Sequence, residues 1–365
     1  MTTVGLLHET PYADMKDYLD FPTPNKMFDP QKGHDLYVEY LNELVYAEEL
    51  GFEIIALPEQ HSKQDNIDPS PNILVSHLIG RTKKVLILPY GALLPLHNPI
   101  RIAEEYAMLD VLSKGRLLAG FVRGGASNHL AYGIPPGETR SRYEEAWELI
   151  VKAWTTEEPF QWKGKHFHLE TVNVWPRPYQ HPHPPIWTSG LTDRSIEWAA
   201  KQRAGYTRWL SVTRASKILF GSYRKYYRKY HGVDPEPREL GLARSVYVSA
   251  DGDAKRECEK HYLHFRDHVD TQIESPYRRV PEGREIYMTG KILGAAKFDH
   301  EQAKRGGLHI CGSPDEVIRE ILFQKKELGF GVFLANLNYG DMPHEKVIKN
   351  LDTFAEEVMP ELREA

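Results

Sequence analysis

Long apolar runs are missing from this chain. No stretch approaches the about 18 apolar residues that a membrane-spanning helix needs, and no secretory signal pattern follows Met1. Cysteine is scarce. Two residues, Cys258 and Cys311, are too few for a disulfide framework or a cysteine-rich metal centre, so a cytoplasmic, reducing setting is expected. Positive charge is not in excess either. With 46 Lys and Arg against 51 Asp and Glu, the formal charge is −5, which argues against nucleic acid or an anionic membrane surface as partner. The one basic, aromatic cluster, Tyr223–His231 (YRKYYRKYH), reads as the solvated face of a helix. No G-x-G-x-x-G loop is present, which counts against an open dinucleotide-binding sheet. No His/Asp/Glu spacing matches a metal site, so no metal is expected, and His181 and His183 sit in a Pro-rich connector. Nothing orders a Ser/His/Asp triad.

The 25 prolines and 20 tyrosines, in a chain that stays rich in apolar residues, indicate long structured loops rather than disorder. Short apolar runs of strand length recur at Val4–His8, Phe52–Leu57, Val85–Leu88, Arg116–Val122, Ile186–Ser189, Tyr206–Ser211, Leu242–Val248 and Val332–Leu337. Amphipathic helices alternate with them. Asp35 is placed to cap a helix running to Leu50, and Pro71–Ile79 forms a short one. Pro99 opens a helix that Lys114-Gly115 ends, Tyr143–Trp154 is cleanly amphipathic, and Ser195–Gln202 follows the fifth strand. Further helices run through the YRK cluster, from Asp253 onward and over Lys346–Val358. Ser313-Pro314-Asp315-Glu316 is a capping box that predicts a helix to Leu328. Eight strand–helix alternations joined by right-handed crossovers predict a single (β/α)8 TIM barrel over residues 1–365. Insertions are expected near 160–185, a hairpin plus connector, and near 275–307, an irregular stretch suited to a lid.

In such a barrel, ligand groups belong to the loops after each strand. Those exits are His8-Glu9, Glu59-Gln60-His61, Tyr90-Gly91-Ala92, Arg123-Gly124, Thr188-Ser189-Gly190, Trp209 and Asn336–Asn338. Their mix of aromatic, amide and imidazole groups suits a large planar organic ligand. Phosphate is the sharper inference. Arg123 offers a bidentate fork beside glycines, Arg142 begins the next helix, and Ser189 and Ser195 bracket a helix N-terminus.

These residues resemble the bacterial luciferase-like flavin monooxygenases. The likeness is carried by Glu59-Gln60-His61, by HNPIRIAEEYAMLDVLSKGRL, by the strand ending in Arg123-Gly124, by Ser141-Arg142, and by VWPRPYQHPHPPIWTSG. It runs from about Val4 to Leu362. The resemblance implies a barrel, usually dimeric, that takes reduced FMN as a diffusible co-substrate from a separate NAD(P)H:flavin reductase. Oxygen adds at flavin C4a, and the peroxyflavin oxidises a small or medium organic substrate by hydroxylation or Baeyer–Villiger-type oxygenation. By position, Arg123, Gly124, Arg142, Ser189 and Ser195 would hold the phosphate. Tyr90, Gly91 and Ala92 would lie under the flavin ring, at a non-proline cis peptide. The sequence departs from luciferases at Gln60, which stands where they carry a histidine. Gln60 can hydrogen-bond but cannot act as a base near neutral pH, so catalysis is assigned to His61 with Gln60, with His8 or His97 as other pocket groups open to the acid–base role. His8, Trp187 and Trp209 are expected in the substrate pocket. Two other readings remain open on the same residues: a deazaflavin-dependent oxidoreductase, and a flavin-binding partner subunit without its own chemistry.

Overall fold

A computed structural model describes residues 1–12, 21–249, 256–267 and 298–365. Its strands are β1 (Thr3–Leu7), β2 (Ile54–Leu57), β3 (Leu86–Pro89), β4 (Ala92–Leu93), β5 (Ala119–Val122), the hairpin β6 (Phe160–Lys163) and β7 (His168–Val172), β8 (Ile186–Thr188), β9 (Gly205–Arg208), β10 (Leu240–Val248), β11 (His309–Gly312) and β12 (Val332–Asn336). The helices are α1 (Pro30–Glu49), α2 (Pro71–Arg81), α3 (Pro99–Ser113), α4 (Ala126–Ala131), α5 (Thr139–Thr155), α6 (Asp193–Lys201), α7 (Thr213–His231), α8 (residues 256–267), α9 (His300–Arg305), α10 (Pro314–Leu328), α11 (His344–Thr353) and α12 (Met359–Glu364).

The parallel strands run in the order β3-β2-β1-β12-β10-β9-β8-β5-β4, with β11 added to β10. β3 and β4 are two halves of one barrel strand. Ile87 of β3 bridges to Leu117 before β5, while Ala92 and Leu93 of β4 pair with Phe121 and Val122. Nine strands in that path therefore make eight staves, and the barrel closes as predicted. The break falls at the Tyr90–Gly91 bond, which is cis. Here the chain passes so close to β5 that side chains are excluded. A Cβ on Gly91 would lie 2.6 Å from the backbone of Gly120, and one on Gly120 would lie 2.0 Å from the Pro89 carbonyl oxygen.

Alternation along the strands sorts residues into two cores. Leu7, Ile54, Ala56, Leu88, Tyr90, Leu118, Trp187, Ala243, Val332 and Leu334 fill the barrel interior. The larger core lies between barrel and helices. Phe121, for example, meets Tyr106, Trp147 and Trp154 with ring centroids 5.8, 5.1 and 5.9 Å apart.

Several boundaries differ from the sequence reading. α1 starts at Pro30 because Asp29 caps it, accepting from the amides of Gln31 at 2.8 Å and Lys32 at 3.2 Å. An Asp–Pro pair outcompetes Asp35 as the start. Gly33 then lies inside the helix, where the Phe28 ring packs against it. Lys114 itself adopts the left-handed cap conformation, φ 56°. Part of the stretch expected to be irregular is ordered: Asp299 and Gln302 form a reciprocal capping box on α9, and β11 follows. The remainder of the proposed lid, 275–297, lies outside the described residues. α11 continues through a π-helical turn, Phe354–Val358, into α12.

Candidate functional site

The interior parity of each strand continues into its exit loop. β1 carries Gly5 and Leu7 inward and therefore Glu9, β2 carries Gln60, β9 carries Trp209, and β12 carries Asn336. Four exits thus send polar groups to the barrel mouth. Gln60 Oε1, Asn336 Oδ1 and Trp209 Nε1 are buried there with no hydrogen-bond partner among the described residues. Buried polar atoms are rarely left so, and three at one mouth mark a place where a ligand supplies the missing contacts. Glu9 accepts from Asn336 Nδ2 at 3.3 Å. Burial, aided by the Asp65 charge, pushes the Glu9 carboxyl up to about 8, so it carries a proton at neutral pH. A cavity beside it is lined by Glu9, Tyr12, Gln64, Asp65 and, from α8, His264 and Phe265.

The opposite rim is cationic. Arg123 follows β5 and donates to Thr139 Oγ1 at 3.3 Å. Arg140, on the first turn of α5, donates to Ser195 Oγ at 2.5 Å and Thr192 Oγ1 at 3.3 Å. Burial and then the neighbouring Arg123 charge lower the Arg140 pKa, and its carboxylate partner Glu144 stands 3.9 Å away. Two guanidinium groups that repel each other, ringed by the hydroxyls of Thr139, Thr192 and Ser195, form a corner built for an anion. Thr192 is the N-cap of α6, accepting from the Ser195 amide, so that helix also directs its N-terminus here.

The sequence reading assigns Arg142, not Arg140, to the phosphate. Arg142 lies two residues further along α5, about 200° around the helix, and pairs with Glu138 at 2.8 Å. Arg140 takes the place by Ser195. Ser189 lies nearby, accepting from Arg208 Nη1 at 2.9 Å. Arg208, buried at the end of β9, also donates to the carbonyls of Gly190 at 3.3 Å and Trp209 at 3.0 Å. Between the corner and the mouth lies Tyr90-Gly91-Ala92. The Tyr90 hydroxyl pairs with Thr207 inside the barrel, and Gly124, at φ 80°, packs on Leu93.

Other predicted positions are packed into the barrel walls or its mouth. His61 is 4% exposed. Its Nε2 donates to Glu59 Oε1 at 2.8 Å, and its Nδ1 accepts from the Tyr132 hydroxyl at 3.3 Å. His8 does not reach the pocket. It points outward from β1 into a buried network in which Glu43 accepts from His8 at 2.7 Å, His344 at 2.6 Å and Asn338 at 3.0 Å. The parity that puts Glu9 inside puts His8 outside. Trp187 is interior core, packed over Gly205 and Gly241. Trp209 does face the mouth, where it meets Phe265. Sequence reasoning did not single out Arg140 or Arg208, and it named Glu9 only alongside His8 at the exit of the first strand. For Glu9 the signal was available, since inward alternation from Leu7 selects it over His8.

Among the described residues, no helix is long and apolar enough to cross a membrane. A model of the luciferase-like monooxygenase family matches residues 28–330. The oxygenase component of flavin-dependent trigonelline monooxygenase from Acinetobacter baylyi is 24% identical over 349 residues, covering 93% of this chain and 94% of that protein. Among solved structures, the oxygenating constituent of 3,6-diketocamphane monooxygenase from the CAM plasmid of Pseudomonas putida, a type II Baeyer–Villiger monooxygenase in complex with FMN, superposes with a TM-score of 0.75 at 18% identity, covering 99% of each chain. An F420-dependent secondary alcohol dehydrogenase gives 0.71 at 19% identity, again covering 99% of each chain.

Proposed function

Since the chain belongs to the luciferase-like monooxygenase family, we propose that it is the oxygenase component of a two-component system. It takes reduced FMN from a separate NAD(P)H:flavin reductase and uses O2 to oxygenate a small or medium organic molecule. Hydroxylation and Baeyer–Villiger-type insertion both fit the mouth. The reading includes a homodimer in the cytoplasm. The observation that carries it is the anion corner of Arg123 and Arg140 on the same barrel mouth as the cis Tyr90–Gly91 strand break.

Arg123 and Arg140, with Thr139, Thr192 and Ser195, bind the phosphate. Tyr90, Gly91 and Ala92 would lie under the flat ring, on a segment whose cis bond is held by the close approach of Gly91 to Gly120. Reduced flavin, when bound, supplies the electrons that activate O2. At the mouth, Gln60 and Asn336 accept hydrogen bonds and Trp209 donates one to orient substrate. Glu9 holds a proton there to give to a developing oxyanion. His61 positions Gln60 through Glu59. FMN rather than deazaflavin is supported by the FMN complex of the diketocamphane enzyme and the flavin dependence named for the trigonelline enzyme. A titration tests the choice: reduced FMN is expected to bind and reduced deazaflavin not to. The opposite order would overturn it. Oxygen uptake with reduced FMN across a substrate panel, with product mass spectrometry, tests the activity.

Glu9 adds a pH dependence. Its folded pKa lies above that of an unfolded glutamate. Between about pH 4.5 and 8 the unfolded chain therefore releases a proton that the fold retains, and stability falls as pH rises through that window. Glu9→Gln is expected to remove this slope, so urea melts should favour the variant more at pH 8 than at pH 5. In the wild type, product formed per O2 consumed should drop above about pH 8. Equal slopes in the two proteins would exclude a protonated Glu9.

A further inference from the structure

A second cluster of reactive side chains lies away from the flavin corner. Cys258 of α8 and Cys311 of β11 form a disulfide across 53 residues, with Cα atoms 6.7 Å apart. Two cysteines are too few for a framework, yet the fold brings them together. Around Cys258 Sγ stand His300 Nε2 at 3.4 Å and the His309 ring, with Nε2 at 3.7 Å and Nδ1 at 3.8 Å. The ligating atoms of Cys258, His300 and His309 all lie within 4.8 Å of one another, and all three residues are buried. No sequence spacing announces this set, because its members come from α8, α9 and β11.

We propose that these four residues form a Cys2His2 centre for a zinc-type divalent cation, available when the disulfide is reduced. The donor set is that of structural zinc. In a tetrahedral site with Zn–S of about 2.3 Å and Zn–N of about 2.0–2.1 Å, sulfur and nitrogen stand about 3.5 Å apart. The Cys258 sulfur–nitrogen distances, 3.4 Å to His300 and 3.7–3.8 Å to His309, straddle that value, and Cys311 reaches the cluster through its bond to Cys258. His309 and Cys311 alternate on one strand and so face the same side. His309 also has a built outer contact: its Nε2 donates to the Tyr339 hydroxyl at 2.6 Å, which occupies that nitrogen and leaves Nδ1 as the one with a lone pair for a metal, the division of roles common in metal-ligating imidazoles.

The redox step balances with an external dithiol reductant. The Cys258–Cys311 bond accepts two electrons and two protons to give two thiols, and the reductant becomes a disulfide. Metal binding then releases both thiol protons as the thiolates bind the cation. The centre would clip α8, whose His264 and Phe265 line the mouth cavity, to α9 and β11. It shares no residue with the flavin reading, so neither test depends on the other.

The experiment uses the full chain without flavin, reduced with a phosphine, stripped with chelator and titrated with Co2+ and then Zn2+. Co2+ is expected to bind at one equivalent with the intense charge-transfer absorption of thiolate ligation, and Zn2+ to displace it. Zn2+ should also protect both cysteines from a thiol reagent. Tyr339→Phe, which leaves all four donors in place, should weaken Co2+ binding about 10–100-fold. Cys311→Ser should lose the two-thiolate spectrum. Binding of either metal by the oxidised protein as tightly as by the reduced one would overturn the proposal. So would two freely reactive thiols in the presence of Zn2+, or a Co2+ spectrum unchanged in Cys311→Ser.

Discussion

Arg123→Ala and Arg140→Ala are each expected to weaken FMN binding by about 1.5–3 kcal/mol, the scale of a hydrogen bond to a charged group and roughly ten- to a hundredfold in affinity. Arg142→Ala should change it by less than about 0.5 kcal/mol, as for an exposed ion pair. The three arginines separate because geometry divides them. Arg123 and Arg140 share one corner, and the Arg123 charge lowers the Arg140 pKa, so an incoming dianion relieves a repulsion as well as making contacts. Arg142 is already paired with Glu138 in the solvent-facing turn. Flavin fluorescence titration measures the affinities, with riboflavin as the control that lacks the phosphate. Riboflavin should bind the wild type and both corner variants alike. A uniform loss for FMN and riboflavin would signal a disturbed fold, and an unchanged FMN affinity in Arg140→Ala would return the phosphate to Arg142. Because part of the attraction is long-range, the gap between wild type and variants should also narrow in high salt.

Arg140 and Arg142 show where sequence reading runs out. Both arginines open the same helix, and the motif names only Arg142. Only the helical phase, fixed by Tyr143, Ala146, Trp147 and Ile150 packing inward, turns Arg140 toward α6 and Arg142 away. The barrel itself was legible because each strand is buried on both faces and reads as a short apolar run. The Gly91 position was legible by resemblance, and the structure gives its reason in the approach of β5. Two things were hidden by distance along the chain. His8 looked like a pocket residue until Glu43, 35 residues on, and His344 drew it behind the wall. Cys258 and Cys311 had no visible link, although the Asp299–Gln302 capping box beside them could have been read directly.

The largest stability effect is expected at Glu59, the residue that holds the floor of the proposed ring site together. Its Oε1 accepts from His61 at 2.8 Å and His97 at 2.7 Å, and its Oε2 accepts from the Leu93 amide at 3.1 Å. One buried carboxylate thereby ties the exit of β2 to β4 and to the entry of α3. Burial alone would raise its pKa, but the hydrogen bonds from His61 and His97 and their charges outweigh that cost and hold it below the usual glutamate value. Glu59→Gln keeps the shape but turns an amide donor toward groups that themselves donate, and it removes the charge. A loss of about 3–5 kcal/mol at pH 7 is expected, the range for breaking a buried charged pair at one partner. The sign of the pH dependence follows from the lowered pKa. The stabilisation is fully present above about pH 4.5 and is lost as pH falls through the folded value, so the gap between wild type and Glu59→Gln should close in acid. Urea melts of both proteins between pH 7 and 3.5 measure this. A variant within about 0.5 kcal/mol of wild type at pH 7, the scatter of ordinary surface substitutions, would mean that the loops after β2 and β4 are held by packing alone. His61 would then be released for proton transfer.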